Sequence, residues 1–390
     1  MEKINFSKTE LERYSRHLII PEFNIEGQRK LKCAKVLVVG CGGLGSPLLL
    51  YLAAAGVGNI GIIDFDVVDD SNLQRQILFD VENVGQPKVE VAKNRILALN
   101  PHINVVTYNT KLTSKNAFDI IKRYDLVADG TDNFPTRYLV NDACVLLGKP
   151  NVYASIYRFE GQVSVFNYLN KDGNIGPNYR DIFPSPPPLG LVPSCAEGGV
   201  LGVLPGIIGS LQANEVIKVI TNIGEPLNGR LFLFDALSFE TRILKIRRDE
   251  KNPLNGKEPT QADLIDYLQF CGVGTEEDSN NNINLKEISV QELDLILKNE
   301  NKQIQLIDVR EQYETEIATL GGELIPLKAI AKYVNRIDKN KNVVLYCRSG
   351  KRSAEAIEIL EEKFGFKNLY NLRGGILAFA KEIDNSLAIY

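Results

Sequence analysis

Apolar positions in this chain fall into short unbroken runs, separated by stretches where they recur every three or four residues. In residues 7–31, Leu11, Tyr14, Leu18 and Ile19 recur at helical spacing ahead of Pro21, and the segment is predicted to be helical. Lys35-Val-Leu-Val-Val39 has the length and composition of a buried strand, and Gly40-Cys-Gly-Gly-Leu-Gly45 turns into an apolar helix that reaches about Ala55. Asn59-Ile-Gly-Ile-Ile-Asp64 is the next strand, Lys88 to Leu99 a helix, Asn104 to Tyr108 a strand, and Asp125-Leu-Val-Ala-Asp129 a strand that ends in Gly-Thr-Asp. Strands and helices in alternation predict an α/β fold, a mostly parallel sheet with helices on both faces.

Residues 170–194 break the pattern: Lys-Asp-Gly-Asn, then Pro184-Ser-Pro-Pro-Pro, then Pro193. A long irregular connection in a compact domain usually serves function. Gly206 to Ile220 is a strong helix, followed by β-rich runs at 230–235 and 241–247. From Asp249 to about Asn284 the chain turns polar, and a fresh alternation follows, with strands at 304–308 and 342–346 and helices between. The expected organisation is a first domain over 1–248, a linker over 249–283 and a smaller α/β domain over 284–390. A length of 390 residues agrees, since one hydrophobic core rarely extends that far.

Composition narrows the function. Hydrophobic content of 44% and charged content of 24% are those of a soluble globular protein. A net charge of −4 argues against a general nucleic-acid binder. The apolar stretches are too short for a membrane span, and the N-terminus lacks a signal-peptide core, so a cytoplasmic protein is expected. The six cysteines, at 33, 41, 144, 195, 271 and 347, include no C-x-x-C pair, which leaves free thiols rather than a disulfide framework or zinc knuckle. With only His17 and His102 available, histidine bases and poly-histidine metal sites are nearly excluded.

Gly40-x-Gly42-x-x-Gly45 after a strand, with Asp64 closing the next strand, is a dinucleotide-type fingerprint. Glycines let backbone amides approach a phosphate at a helix N-terminus, and the acid reaches a ribose hydroxyl. That much suits a nicotinamide enzyme as well as an ATP enzyme. Ser71-Asn72-Leu-Gln-Arg75-Gln76, Gly85-Gln-Pro-Lys88 and Asp129-Gly-Thr131-Asp132-Asn133 separate the two. A nicotinamide has no need of gathered cations, whereas a triphosphate in transfer does. Arg75 and Lys88 supply positive charge, Asn72 a polar contact, and Asp132 a carboxylate able to hold Mg²⁺.

These motifs, with Arg13-Tyr-Ser-Arg16-His-Leu-Ile-Ile, Asp64-Phe-Asp-x-Val and Thr131-Asp-Asn, resemble the MoeB/ThiF adenylyltransferases, bacterial relatives of the ubiquitin-activating enzymes, over roughly residues 8–247. The resemblance implies a Rossmann-like domain that uses ATP and Mg²⁺ to adenylate a protein C-terminus. It implies Asp64 on the ATP ribose, Gly43 in the phosphate loop with Gly40, Gly42 and Gly45, and Asn72, Arg75 and Lys88 on the phosphates, with Ser71, Thr131 and Asn133 in the same motifs. It also implies Asp132 as the Mg²⁺-associated acid and Arg16 reaching across a homodimer interface as an arginine finger does. Such a step runs on positioning and charge neutralisation, so the scarcity of histidine is no obstacle.

Cys195, in Pro193-Ser-Cys-Ala-Glu-Gly-Gly, matches a family cysteine that in some members accepts the activated chain or links to persulfide sulfur. The sequence departs from the family at a structural zinc site. Family members commonly carry two C-x-x-C pairs, but here Asn178, Asp181, Asn252 and Asn255 stand at those places, and zinc is not expected. The connection after Asp181 must then be held by packing or be mobile.

In the last domain, Tyr346-Cys347-Arg348-Ser349-Gly350-Lys351-Arg352-Ser-Ala lies between a strand and a helix over Ala354–Lys363. Backbone amides and nearby cations favour a thiolate there. The segment resembles the active loop of rhodanese sulfurtransferases over about residues 284–384, with Ile307-Asp308-Val-Arg310 and Asn371-Leu-Arg373-Gly374-Gly375 similar to their flanking motifs. Cys347 would carry a persulfide. In a phosphatase of the same fold the arginine follows the cysteine by six; Arg352 follows by five, which suits a persulfide better. Gly321-Gly-Glu-Leu-Ile-Pro326 lacks the histidine usual in the family.

Together the two modules imply adenylation of a small ubiquitin-like sulfur carrier ending in Gly-Gly, then sulfur delivery from Cys347, charged by a donor such as a cysteine desulfurase, to give a thiocarboxylate for molybdopterin, thiamine or tRNA thiolation. Two alternatives compete. A nicotinamide oxidoreductase with a redox domain leaves Arg75, Lys88 and Asp132 without work. A non-catalytic binder of a ubiquitin-like partner requires loss of residues that are all present.

Overall fold

The computed structural model describes residues 5–188, 198–272, 285–299 and 304–390. They form two compact units that divide after Glu277. The first is built on an eight-stranded sheet of β1 (Lys35–Val39), β2 (Asn59–Asp64), β3 (Asn104–Asn109), β4 (Leu126–Asp129), β5 (Asn151–Tyr157), β6 (Glu160–Phe166), β7 (Arg230–Asp235) and β8 (Glu240–Lys245), in the order β3-β2-β1-β4-β5-β6-β7-β8. The β3 to β5 part is parallel, and β6, β7 and β8 are added antiparallel.

Unbroken apolar runs are needed because the parallel strands are covered on both sides. In β1, Val36 and Val38 enter one core, with the helices Gly45–Ala55, Lys88–Leu99 and Leu204–Thr221, while Leu37 and Val39 enter the other, with Ala117–Ile121 and Phe134–Leu146. In β2, a side chain at Gly61 is excluded because an added Cβ would lie 2.2 Å from the Tyr124 hydroxyl.

The N-terminal region is not one helix. It is divided into Lys8–Arg13, Ser15–Leu18 and Asn24–Cys33. Ser7 caps the first piece by a capping box with Glu10. Pro21 has no N–H to donate and disfavours helical backbone in the residue before it, which ends the second.

The segment expected to link the domains, 249–283, begins as part of the first unit: Tyr267 and Cys271 are buried in the same core as Tyr138. The anchor is Asp142, which is fully buried. Its carboxylate accepts a forked pair from Arg180 Nε and Nη2 (2.9 and 2.7 Å), and bonds from Gln261 Nε2 (2.9 Å) and the Tyr267 hydroxyl (2.8 Å). The positions where zinc thiolates would stand are joined by hydrogen bonds. Asn178 Nδ2 donates to Asn255 Oδ1 at 3.1 Å, and Asn252 Nδ2 to Asp181 Oδ1 at 2.7 Å. From Asn178 to Pro184, therefore, the irregular connection is tied down by polar contacts as well as packing.

The second unit has a parallel five-stranded sheet ordered β11-β10-β12-β13-β9, from β9 (Glu287–Ile288), β10 (Ile304–Asp308), β11 (Glu323–Leu324), β12 (Asn342–Tyr346) and β13 (Leu369–Leu372). The helix Lys351–Phe364 covers one face, and Val290–Lys298 with Gly375–Glu382 the other. Among the described residues no helix is long and apolar enough to cross a membrane.

Removing the Asp142 carboxylate strands a buried guanidinium. Asp142→Ala is expected to destabilise the first unit by about 3–5 kcal/mol and to expose the 261–272 segment to protease. A urea midpoint equal to that of the parent would refute the anchor.

Candidate functional site

The first site lies where the strand order reverses, at the C-terminal ends of β1 and β4, the usual ligand crevice of such sheets. Gly40 leaves β1 at φ +86°, and its loop closes against the loop after β4, where Gly130 N donates to Val39 O at 2.9 Å. A Cβ on Gly45 would lie 2.1 Å from Gly40 O, so only glycine lets the helix Gly45–Ala55 start this close to the strand. Its role is packing, and it does not line the cleft.

Gly40, Gly42, Gly43 and Asp64 line that cleft, together with Arg75, Lys88, Thr131, Asp132 and Asn133. Asp64 is oriented by its own loop: Oδ2 accepts from Cys41 N at 2.9 Å, and Oδ1 from Asp66 N at 3.0 Å. Lys88 opens the helix Lys88–Leu99 and is 5% exposed; its ammonium is held 3.0 Å from the half-exposed carboxylate of Asp66. Arg75 Nη1 donates to Ser71 O at 3.1 Å, leaving its charge without a carboxylate partner in that contact.

Not every residue singled out from the sequence reaches the cleft. Ser71 and Asn72 do not line it. Asn72 Oδ1 accepts from Gln76 Nε2 at 2.6 Å, and Gln76 is the lining residue. Gln76 Oε1 is buried without a hydrogen-bond partner, a polar atom that a ligand can satisfy. Arg16 is exposed and outside the cleft of its own chain. Cys195 lies outside the described residues. Burial pushes the Cys41 thiol well above its ordinary value, with Asp64 adding to the effect, and pushes Cys271 up to about 11.

Sequence reasoning missed Gln76, Asp66 and Arg137, all of which line the cleft. The first two stood inside quoted motifs without a role. Arg137 sits on a helix that the apolar spacing did not reveal.

The second site follows the same plan. Strand β12 ends at Tyr346, and Gly350, at φ +94°, caps the helix Lys351–Phe364. Cys347 is buried; its sulfur accepts from Gly350 N at 3.1 Å and faces Ser353 Oγ at 3.5 Å. An amide and a helix N-terminus are thus aimed at the sulfur. The Gly374-Gly375 pair is also explained. The N-terminus of the helix Gly375–Glu382 docks on the loop, Ile376 N donating to Cys347 O at 2.9 Å, and a Cβ on Gly375 would lie 2.5 Å from that oxygen.

Arg352 does not point freely into this loop. Nη1 and Nη2 grip Glu314 at 2.7 and 2.6 Å. Arg310, fully buried, is forked onto Asp308 and also contacts Tyr390, which in turn bonds Arg348. Ser349 and Lys351 are exposed. Where the family histidine is missing, Glu323 pairs with Arg336.

Residues 14–255 match the ThiF family, and residues 289–382 match the Rhodanese-like domain. The chain belongs to the ThiF family and is an adenylyltransferase with an appended sulfurtransferase module. It is 49% identical over 387 residues to the "Probable adenylyltransferase/sulfurtransferase MoeZ" of Mycobacterium tuberculosis, covering 98% of this chain and 96% of that one. It is 55% identical over 270 residues to the sulfur carrier protein adenylyltransferase of Thermus thermophilus, covering 69% of this chain and 100% of that one. It is 42% identical over 409 residues to the adenylyltransferase and sulfurtransferase MOCS3 of Bos taurus, covering 98% and 88%. A crystal structure of E. coli MccB with ATP superposes with a TM-score of 0.53 at 25% identity, covering 63% of this chain and 74% of that one.

Burial alone would raise the Glu314 carboxyl, but the Arg352 fork and the Glu311 N–H bring it below its ordinary value of 4.5. A depressed carboxyl stabilises the fold fully above its unfolded value, and that stabilisation is lost as pH falls through the folded one. The second unit should therefore lose stability as pH drops below about 4.5, and Glu314→Gln should flatten that dependence. Urea-dependent exposure of Cys347, read with a dithiodipyridine that reacts in acid, measures it. An unchanged slope in the variant would refute the assignment.

Proposed function

We propose that this enzyme uses ATP and Mg²⁺ to adenylate the C-terminal glycine carboxylate of a small ubiquitin-like sulfur carrier ending in Gly-Gly, and that Cys347, as a persulfide, supplies the sulfur. The observation that carries this reading is the cleft at the β1/β4 switch point, lined by the glycine loop, Lys88, Arg75 and Asp132. The Thermus relative, named for sulfur-carrier adenylation, supports the carrier as substrate, and the ATP-bound MccB structure supports the nucleotide.

In the first step a carboxylate oxygen of the carrier attacks the α-phosphorus of ATP, the bond to pyrophosphate breaks, and an acyl-adenylate forms. Asp64 would take the ribose, and the amides after Gly40, Lys88 and Arg75 the phosphates, where charge neutralisation does most of the work. Asp132 is exposed in the cleft and offers the hard oxygen Mg²⁺ prefers. Bound there, the ion would neutralise phosphate charge. Arg16, outside the cleft of its own chain, fits a role in the site of a second copy, and we read the enzyme as a cytoplasmic homodimer.

In the second step the outer sulfur of the Cys347 persulfide attacks the acyl carbon, AMP leaves, and an acyl disulfide remains on Cys347. A second thiol, for which Cys195 is the candidate, attacks the Cys347 sulfur, releases the thiocarboxylate and leaves a disulfide. A cellular dithiol would reduce that disulfide, being oxidised in turn, and the freed Cys347 thiolate would then take sulfane sulfur from the persulfide of a donor such as a cysteine desulfurase; the thiocarboxylate would feed molybdopterin, thiamine or tRNA thiolation. The commitment of Arg352 to Glu314 favours a persulfide over a phosphate ester, whose dianion needs that guanidinium.

Lys88→Ala and Asp132→Ala should each slow ATP–pyrophosphate exchange by at least about 100-fold. Cys347→Ser should retain exchange yet form no thiocarboxylate, as read by intact mass of the carrier. Exchange at the parental rate in either of the first two variants would sink the adenylation reading. A thiocarboxylate made by Cys347→Ser would sink the sulfur route.

A further inference from the structure

Thr131, immediately before Asp132, is held at each of its polar atoms by a buried charged side chain. Its amide and hydroxyl both donate to Asp129 Oδ1, at 2.9 and 2.7 Å. Its carbonyl oxygen accepts two bonds from one guanidinium, Arg137 Nε at 3.3 Å and Nη2 at 2.9 Å. That carbonyl belongs to the peptide unit that joins Thr131 to Asp132, so the guanidinium fixes the plane from which Asp132 departs. Asp132 itself is exposed in the cleft.

Both clamping groups are costly to keep. Asp129 is 1% exposed, and burial raises its carboxyl above the ordinary value. Its Oδ2 has no hydrogen-bond partner. Arg137 is 8% exposed, with its guanidinium 5.9 Å from the Phe134 ring centroid and 5.8 Å from that of Tyr153. It sits one turn into the helix Phe134–Leu146, whose start is pinned by Asn133 accepting from Thr136 N at 3.0 Å. Gln212 closes the cluster from below, donating to the Asp129 carbonyl at 2.8 Å. Buried charges that only tie a turn together are poor stabilisers compared with apolar packing, so their place beside the cleft calls for a functional account.

We propose that Arg137, backed by Asp129, is the positioning residue of the acidic turn: it holds the Thr131–Asp132 peptide and thereby aims the Asp132 carboxylate into the nucleotide cleft. The inference rests on the reading that Asp132 serves the Mg²⁺ form of ATP. Arg137 acts through Asp132, with its Nε and Nη2 engaged on the Thr131 carbonyl.

The test is ATP binding to the full chain, by calorimetry, with Mg²⁺ and with EDTA, for the parent, Asp132→Ala, Arg137→Met and Arg137→Lys. The quantity read is the ratio of the two affinities. Arg137→Met is expected to bring the ratio to within roughly two-fold of that in Asp132→Ala, with affinity in EDTA left at the parental value. Arg137→Lys, which keeps the charge but not the two-donor grip, should fall with Arg137→Met. A parental ratio in Arg137→Met beside a reduced one in Asp132→Ala overturns the inference and leaves the role of Asp132 standing. A parental ratio in Asp132→Ala itself overturns both. Weaker binding of Arg137→Met in EDTA makes Arg137 a direct phosphate ligand and also overturns it. Should Arg137→Met not fold, Arg137→Lys decides, with faster hydrogen exchange at the Asp132 amide expected if the peptide has been released.

Discussion

A parallel strand buried on both faces can offer chemistry only at its end, and both units of this chain are organised by that constraint. In β1 every residue after Lys35 is buried, and in β12 every residue after Asn342. Where each strand runs out, a tight turn hands the chain to a helix whose first amides have no helical partner. The turn after β1 faces the nucleotide cleft, and the turn after β12 aims Gly350 N at the Cys347 sulfur. The two places share one electrostatic feature: the helix N-terminus carries partial positive charge. Glycine is required at both because a helix N-terminus packs against the turn, Gly45 against the Gly40 carbonyl and Gly375, opening the separate helix Gly375–Glu382, against the Cys347 carbonyl.

What surrounds those two turns differs, and the difference is the one the proposed occupants would need. Lys88 has a single half-exposed carboxylate beside it, and Arg75 leans on a backbone carbonyl. These are cations that incoming phosphates can recruit. In the sulfur loop Arg352 is already forked onto a buried Glu314. A triphosphate brings several negative charges, and a persulfide at most one. A loop with its strongest cation already neutralised suits the smaller charge and would hold a phosphate group weakly.

The strands that build the two sites were legible in the sequence because their polar residues stand only at the ends: β1, β2, β4 and β12 read as apolar runs between them, and the glycine turn follows in register. The helix Phe134–Leu146 and the strands β5 and β6 were not. They bury polar groups, including Arg137, Asn141 and Asp142 in the helix, Asn151 in β5 and Ser164 in β6, and Asn141, Asp142 and Ser164 find partners distant in sequence. Asp142 meets Arg180 and Tyr267, and Ser164 Oγ donates to Arg230 O. Periodicity sees such residues as solvent-facing, and only the fold reveals them as interior. The same blindness made residues 249–272 read as linker, since their anchor is Asp142, far back in the chain.

The fastening of residues 178–181 to residues 249–255 follows the same physics. A zinc site joins two distant segments by strong bonds to one ion. Here Asn178, Asp181, Asn252 and Asn255 join the same two segments by amide and carboxylate hydrogen bonds, and Asp181 Oδ1 also accepts from Asp249 N at 2.9 Å. Each such bond contributes about 1 kcal/mol, so the cluster alone would be a weak fastening. It is reinforced by the buried Asp142–Arg180 pair and by aromatic packing of Tyr138 against Tyr179 and Phe270. The fastening thus rests on many modest contacts spread along the helix Phe134–Leu146. That helix also carries Arg137 at its cleft end, so one rigid element both secures the outer segment and presents the acidic turn.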